Sequence, residues 1–340
     1  MRCLNPRTVG FKDDGRTIEW SPKRYNKEYA TFQLPCSKCI ECRLEQARDS
    51  AVRCVHEAKM YENNSFITLT YSEEQLKSPK LQYEHFQTFI KDLRDQILLK
   101  TLKKIALTRE EYLARPKPER ELIYKPIEIA FFATGEYGEI TKRPHWHSII
   151  FNWQPNDLQF KYTSDLGHKV FTSQVLTDLW GRGNAELGSV TFESAGYVAR
   201  YSAKKLVHGK DQDHDFHPIH KRSTKHAIGK KFLESYWQDL FNSGSVSLEG
   251  GTTCSIPRYY TKWLLKNHPE AFAKYITGIR NDASVKAAQK AERLCYETNK
   301  INEIRLDNGK STFQISRNAV KSEISKQKFK RLQQHLKGDI

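Results

Sequence analysis

Two histidines one residue apart, His145 and His147, follow Arg143-Pro144 and open the run His145-Trp-His-Ser-Ile-Ile-Phe151. Apolar side chains after a proline read as a strand that begins at the motif. A strand sends alternate side chains to opposite faces, so both imidazoles point one way and Trp146 the other. Two imidazoles on a rigid strand are half of a metal site, although alone they suit a half-buried histidine pair equally well. A carboxylate would extend the set, and Glu136 and Glu139 both stand in the turn expected just before the strand. Neutral imidazoles plus one carboxylate, with positions left open, suit Mg²⁺ or Mn²⁺ holding a phosphate oxygen.

A second constellation is Ala195-Gly-Tyr197-Val-Ala-Arg-Tyr201-Ser-Ala-Lys204-Lys205. Helix formers continue without a breaker after Gly196, and steps of four bring Tyr197, Tyr201 and Lys205 onto one helix face, with Lys204 slightly to its side. The plain alternative is a pair of amphipathic tyrosines packed at a domain edge. A phenol titrates at about pH 10 in water, so a nearby lysine and a metal's field are needed to favour the phenolate as a nucleophile. Attack on a phosphodiester would yield a phosphotyrosine that conserves the bond for later rejoining. A second tyrosine one turn away would allow another cut while the first link is still loaded.

A third group is Cys36-Ser-Lys-Cys39-Ile-Glu-Cys42, two overlapping Cys-x-x-Cys steps. Thiolates at this spacing can wrap one zinc ion, with a fourth ligand from Cys3, Cys54 or His56. The competing reading is three thiols at the start of an amphipathic helix, and the spacing for an iron–sulfur run with a following Cys-Pro is absent.

These residues need elements to position them. Ser65-Phe-Ile-Thr-Leu-Thr-Tyr71 alternates and is β-branched, and Ile127-Glu-Ile-Ala-Phe-Phe-Ala-Thr134 is a second strong strand; Gly135-Glu-Tyr-Gly138 reads as the turn that joins it to the histidine strand in an antiparallel hairpin. Residues 81–99 carry Phe86, Phe89, Ile90, Leu93 and Ile97 at helical spacing and should cover one face of the sheet. Residues 43–61 suit a helix with a basic outer side. Residues 1–35 show no periodicity, 109–126 read as an exposed Pro-broken connection, 173–180 as a short helix stopped by Gly181, and 189–192 as a brief strand. Residues 208–226 hold five of the twelve histidines without fixed spacing and read as a polar loop. The chain from about 283 onward is charged, partly helical and lysine-rich (Lys326, Lys328, Lys330, Arg331), which suits a solvated arm able to touch a phosphate backbone. The expected divisions are an N-terminal extension over 1–62, a core over 63–207, a helical addition over 208–282 and a basic tail over 283–340.

The chain has 340 residues, 56 Lys and Arg against 40 Asp and Glu, a formal charge of +16, and seven cysteines. Such a charge favours a polyanion, nucleic acid first. No apolar run is long enough to span a bilayer, and Met1-Arg-Cys-Leu-Asn-Pro lacks the apolar stretch of a signal peptide, so no membrane partner and a cytoplasmic location are expected. The absence of a Gly-x-x-x-x-Gly-Lys-Ser/Thr loop argues against an ATPase in this chain, and Ile149 excludes a hydrolase of three alternating histidines.

Pro144-His145-Trp-His147 resembles the His-hydrophobic-His motif of HUH endonucleases, and Tyr197-Val-Ala-Arg-Tyr201-Ser-Ala-Lys204-Lys205 resembles the two-tyrosine motif of rolling-circle initiators from small single-stranded DNA phages. Phe66-Ile-Thr-Leu-Thr-Tyr71 is similar to the first, structural motif of that family, and the whole order resembles the microvirus initiators of the gokushovirus type. Pro35-Cys-Ser-Lys-Cys39 and Lys225-His-Ala-Ile-Gly229 resemble further family segments, although His226-Ala227 stands where the family often has Pro-Gly. The resemblance implies an α+β fold: a central antiparallel sheet of about five strands flanked by helices, with helical additions at both ends. It implies that His145, His147 and Glu136 hold the metal, that Tyr197 and Tyr201 are nucleophiles, and that Lys204 or Lys205 positions the scissile phosphate. The implied activity is nicking of single-stranded origin DNA in the cytoplasm of a host bacterium, leaving a 3′-OH for a host polymerase and work for a host helicase. Lys142, Arg143 and Arg200, with the basic helix over 43–53, are candidates for lining the DNA path. The alternative function is a non-catalytic, basic, zinc-stabilised DNA-binding protein; a relaxase or single-strand transposase would usually show another motif order or added helicase segments.

Overall fold

The computed structural model describes residues 3, 5–15, 17–138, 141–164, 167–204, 218–307, 320–321 and 323–328. Three short strands come first, β1 (Arg7–Phe11), β2 (Ile18–Glu19) and β3 (Phe32–Leu34), then helix α1 (Ile40–Ala58) and strand β4 (Asn64–Thr70). Helices α2 (Tyr83–Lys104), α3 (Arg109–Ala114) and α4 (Lys117–Tyr124) lead to strands β5 (Ala130–Tyr137) and β6 (Pro144–Phe151). Next are β7 (Gln159–Thr163), β8 (Lys169–Thr172), α5 (Gln174–Trp180), β9 (Ala185–Gly188) and α6 (Phe192–Lys204). Then come β10 (Ile219–Arg222), α7 (Lys230–Ser243), the two-residue strands β11 (Val246–Ser247) and β12 (Thr253–Cys254), α8 (Arg258–Asn267), α9 (Pro269–Tyr275) and α10 (Asn281–Asp307).

The chain divides into two compact units, one of Met1–Gln46 with Asn267–Leu336, the other of Ala47–Lys266 with Lys337–Ile340. In the first, β1 pairs with β2 and β3 in an antiparallel sheet of order β2-β1-β3. Strands of two to five residues are too short to display an alternation, which is why 1–35 reads as unpatterned. Val9 is the fully buried side chain of this sheet, and Phe11 packs on Phe32 with ring centroids 5.0 Å apart.

The second unit is built on a seven-stranded sheet of order β10-β5-β6-β4-β9-β8-β7, antiparallel at every pairing. The α+β class stands, and the strand count is larger than the five expected. The additional strands lie where patterning is weakest: all five residues of the edge strand β7 are exposed, and β10 at the other edge falls in the stretch read as a polar loop. An edge strand with a wet face leaves no hydrophobic alternation to read.

Each face of this sheet is covered by its own helices. On one, Phe86, Phe89, Ile90 and Leu93 of α2 and Leu176 and Trp180 of α5 pack on Ile67, Leu69, Phe131, Trp146 and Ile150. On the other, Ala47, Ala51 and Cys54 of α1 and Ala195, Val198 and Ala199 of α6 pack on Ala130, Phe132, Ile149 and Phe151. The i, i+3, i+4, i+7 spacing in α2 is what puts its four large side chains on one stripe, and burial of each contributes about 1.5–3 kcal/mol. Helix α5 begins at Ser173, whose hydroxyl accepts from the Leu176 amide at 3.1 Å, and ends at Gly181 with φ 60°.

Residues 109–126 are two short helices and not an irregular connection. Thr108 and Glu111 cap α3 reciprocally, the hydroxyl accepting from the Glu111 amide at 3.2 Å and the carboxylate from the Thr108 amide at 2.8 Å. The strand expected over 189–192 lies earlier, as β9; Phe192 already begins α6, so Gly196 sits inside that helix. Among the described residues, no helix is long and apolar enough to cross a membrane.

Candidate active site

The register of three adjacent strands brings the site together. In β6, His145 and His147 share the face of Ile149 and Phe151; Glu136 of β5 is the direct cross-strand partner of His145, and Thr68 of β4 that of His147. Side chains directly opposite in a sheet share a face and touch. Glu136 is therefore a strand residue: the turn starts later than the sequence suggests, because β5 continues to Tyr137. Gly135 makes that continuation feasible, since a Cβ there would lie 2.8 Å from Trp146 Cζ3 and 3.0 Å from Leu81 Cδ2.

Glu136 Oε1 lies 2.9 Å from His145 Nε2 and 3.2 Å from His147 Nε2, and all three residues are buried. Burial alone would push the Glu136 carboxyl up, but hydrogen bonds from His145 and His147 outweigh it and hold the carboxyl below its usual range. The outer nitrogens are engaged as well. His145 Nδ1 is 3.2 Å from the Arg143 carbonyl, which can only accept, and His147 Nδ1 is 3.0 Å from the Thr68 hydroxyl. With Nδ1–H donated outward, each neutral imidazole aims its Nε2 lone pair at the same carboxylate oxygen. Lone pairs converging on a carboxylate call for a cation between them, which is the test a divalent-ion site must pass. The three ligand atoms lie within 4.8 Å of one another, so the donor set fits such an ion.

Tyr197 arrives from α6. Thr191 and Ser194 cap that helix reciprocally, at 3.1 Å and 2.8 Å, and Ala195, Val198 and Ala199 seat it on the sheet. The Tyr197 hydroxyl then stands 3.4 Å from His147 Nε2, and its ring meets His147 edge-on with centroids 4.9 Å apart. Phe66 walls the far side, stacked parallel to His147 at 6.0 Å and edge-on to Tyr197 at 6.1 Å.

Tyr201 and Lys204 belong to the last turn of α6, but their side chains, like Lys205, Glu139, His208, His214 and His217, lie outside the described residues. Arg143 is engaged away from the triad: its guanidinium donates to the Tyr71 carbonyl at 2.7 Å and pairs with Glu73. Lys142 is an exposed turn residue with φ 55°, and Arg200 is partly buried on α6. The basic side of α1 is not wholly solvated: Arg43 is buried, and Arg53 donates to the Ile228 carbonyl at 2.9 Å while lying over the Tyr259 ring. Thr68 and Phe66 are the site residues that sequence reasoning missed. The alternation of β4 puts both on one face, but only the β4–β6 register tells that this face is the histidines'.

Cys3, Cys36, Cys39 and Cys42 form the other cluster of potential metal ligands among the described residues, their sulfurs within 4.8 Å of one another. Burial opposes charge on the Cys36 thiol, yet amide donation from Lys38 and Cys39 lowers it to about 6. Neither other proposed fourth ligand takes part: Cys54 is packed in the core under α6, and His56 is stacked on Phe232, its Nδ1 3.0 Å from the Tyr260 hydroxyl.

The model of the family described as replication-associated protein ORF2 matches residues 64–206, the span that contains the triad and both tyrosines. The chain is 44% identical over 339 residues to replication-associated protein VP4 of Bdellovibrio phage phiMH2K, covering 99% of this chain and 100% of that one. It is 31% identical to replication-associated protein ORF4 of Chlamydia phage 1, over 69% of this chain and 54% of that one, and 29% identical to replication-associated protein ORF2 of Spiroplasma virus 4, over 80% and 83%. No solved structure matches the chain. A likeness that runs the full length of both chains at such identity leaves one assignment: the chain belongs to the family of phage replication-associated proteins.

Proposed function

We propose that this protein nicks single-stranded origin DNA and rejoins it through a covalent 5′-phosphotyrosine, and so initiates rolling-circle replication of a phage genome. The observation that carries the reading is the 3.4 Å approach of the Tyr197 hydroxyl to His147 Nε2, on the same face of the sheet as Glu136 and His145. A nucleophile beside a divalent-ion donor set is what phosphodiester transfer requires. His145, His147 and Glu136 would hold Mg²⁺ or Mn²⁺, which when bound supplies charge to offset that developing at the phosphoryl oxygens.

The rest falls to the chain. Tyr197 Oη attacks phosphorus, its phenolic proton passes to water, the P–O3′ bond breaks, and O3′ takes a proton from water. One phosphodiester replaces another, so no bond energy is lost and the 3′-OH left behind can be extended by a host polymerase. Phe66 and Val198 hold the phenol ring and helix so that Oη has little freedom to wander. Tyr201, one helical turn on, is assigned the second transfer, and Lys204 or Lys205 the positioning of the phosphate. Lys142, Arg143 and Arg200 are assigned lesser, backbone contacts to the DNA. The endonuclease core is taken to span 63–207, and the protein to work in the cytoplasm of its bacterial host alongside a host helicase.

The test is covalency. Full-length protein incubated with single-stranded origin DNA and Mn²⁺, then denatured, should give a slower-migrating adduct whose DNA is attached at its 5′ end. Tyr197→Phe and Tyr201→Phe should each retain some cleavage, and the double variant none. A protein that binds the DNA but never forms the adduct belongs to the binding class instead, and strand transfer by the double variant removes the tyrosine assignment.

A further inference from the structure

We propose that Cys3, Cys36, Cys39 and Cys42 form a tetrahedral tetrathiolate zinc centre, which ties the residues ahead of β1 to the corner between β3 and α1. Zinc–sulfur bonds of about 2.3 Å put the sulfurs of a tetrahedron about 3.8 Å apart. Cys39 Sγ and Cys3 Sγ are 3.9 Å apart, and all four sulfurs lie within 4.8 Å of one another. That spacing suits one ion. A cubane iron–sulfur cluster holds its cysteines on outer corners, much further apart.

The backbone is shaped for thiolates. Ser37 takes φ 60°, which curls the Cys36–Cys39 turn until the Cys39 amide donates to Cys36 Sγ at 3.3 Å; the Cys36 amide donates to Cys3 Sγ at 3.3 Å. Amide donors aimed at sulfur stabilise charge on it, and outer partners of this kind orient metal ligands. A second observation is independent of the sulfurs. Arg43, next to Cys42 and one turn beyond Cys39, is only 7% exposed, and its Nε has no hydrogen-bond partner among the described residues. A buried guanidinium beside four neutral thiols would lack a counter-charge. Four thiolates around Zn²⁺ carry a formal net charge of −2, so Arg43 becomes the cation that offsets part of it.

The sheet beside the cluster also needs the tie. Strands of five, two and three residues with Val9 fully buried offer little core of their own. Small units of this kind are commonly held by a metal or by disulfides. The seven cysteines are all free, which leaves the metal.

The experiment uses full-length protein purified without chelator. Elemental analysis should give one equivalent of zinc per chain that persists in His147→Ala and is lost in Cys39→Ser. Replacement by Co²⁺ should produce thiolate-to-cobalt charge transfer and the visible bands of a tetrahedral site; the sulfur-free Glu136–His145–His147 set cannot give that charge transfer. Native alkylation mapped by mass spectrometry should find Cys36 and Cys39 protected until a chelator removes the metal. If Cys39→Ser does not fold, the cobalt spectrum and alkylation map of the unaltered protein decide. Zinc content unchanged by Cys39→Ser, bound iron in place of zinc, cobalt without sulfur charge transfer, or a disulfide among the four would overturn the assignment.

Discussion

Thr68 sets which nitrogen of His147 faces Tyr197. Its hydroxyl, 3.0 Å from Nδ1, accepts the ring N–H and leaves the Nε2 lone pair toward Glu136 and the phenol. Thr68→Val keeps the shape and removes the acceptor, so the ring is free to present the wrong tautomer. Outer partners of metal-bound histidines are worth about 10–100-fold in metal affinity. Mn²⁺ titration should show a loss of that order in Thr68→Val, recovery in Thr68→Ser, and nicking restored to the valine variant by excess Mn²⁺. Equal Mn²⁺ affinity in all three proteins would mean that Thr68 does not position the ring. The sequence carries the histidines and Tyr197 openly, because spacings of two and four residues are local properties. Thr68 and Phe66 are not legible that way, since their role depends on which strand lies beside β6 and in what register. Glu136 is half legible: the residue can be picked out, but its place opposite His145 cannot, because Gly135 reads as turn chemistry when its actual work is to leave room for Trp146.

At the level of elements, Gly135 and His56 hold strands and helices in place. Gly135→Ala drives a Cβ against the Trp146 ring, and overpacking of this kind costs about 1–3 kcal/mol. Because Glu136 is the next residue, the variant should lose more nicking than its lowered urea midpoint explains; a proportionate loss would show that β5 absorbs the methyl without moving the carboxylate. His56 joins α1 to α7 and α8, stacked on Phe232 at 3.9 Å and bonded to the Tyr260 hydroxyl. Burial, followed by Lys59, pushes its imidazole down to about 4. A folded pKa below the unfolded value of about 6.5 means that the unfolded chain binds more protons between the two, so stability is full above 6.5 and falls as pH drops toward 4, by roughly 3 kcal/mol at most. The His226–Glu57 pair acts in another window: its hydrogen bond raises the His226 pKa, so that contribution is complete below about 6.5 and is lost as pH rises. Urea midpoints should therefore fall between about pH 6.5 and 4.5 in the natural protein, and fall less in His56→Gln, which retains a partner for Tyr260. Identical acid sensitivity in both proteins would place the titrating group elsewhere. The helices and central strands of this unit are readable from their periodicity. β10 is not, because its pairing with β5 is satisfied by backbone alone and leaves no pattern in Ile219-His-Lys-Arg222.

For the molecule as a whole, charge and chemistry are separable. A surplus of sixteen positive charges acts over many phosphates at once, whereas the triad and Tyr197 act on one. Affinity for single-stranded DNA should therefore be mostly counterion release, with a slope of about −0.7 in log affinity against log salt for each phosphate neutralised. Six such contacts would lower affinity at least about 100-fold between roughly 50 and 200 mM salt. His147→Ala removes an imidazole and no positive side chain, so its affinity and salt slope, read by fluorescence anisotropy on a labelled origin strand, should match the natural protein while its nicking falls even at saturating DNA. Substituting Lys142 should do the reverse, reducing the slope by less than one unit and leaving the rate on bound DNA intact. If His147→Ala instead weakens binding at every salt concentration, the histidine face contributes to grip as well as to reaction. Binding and cleavage would then share one surface, and the +16 charge would no longer account for the affinity by itself.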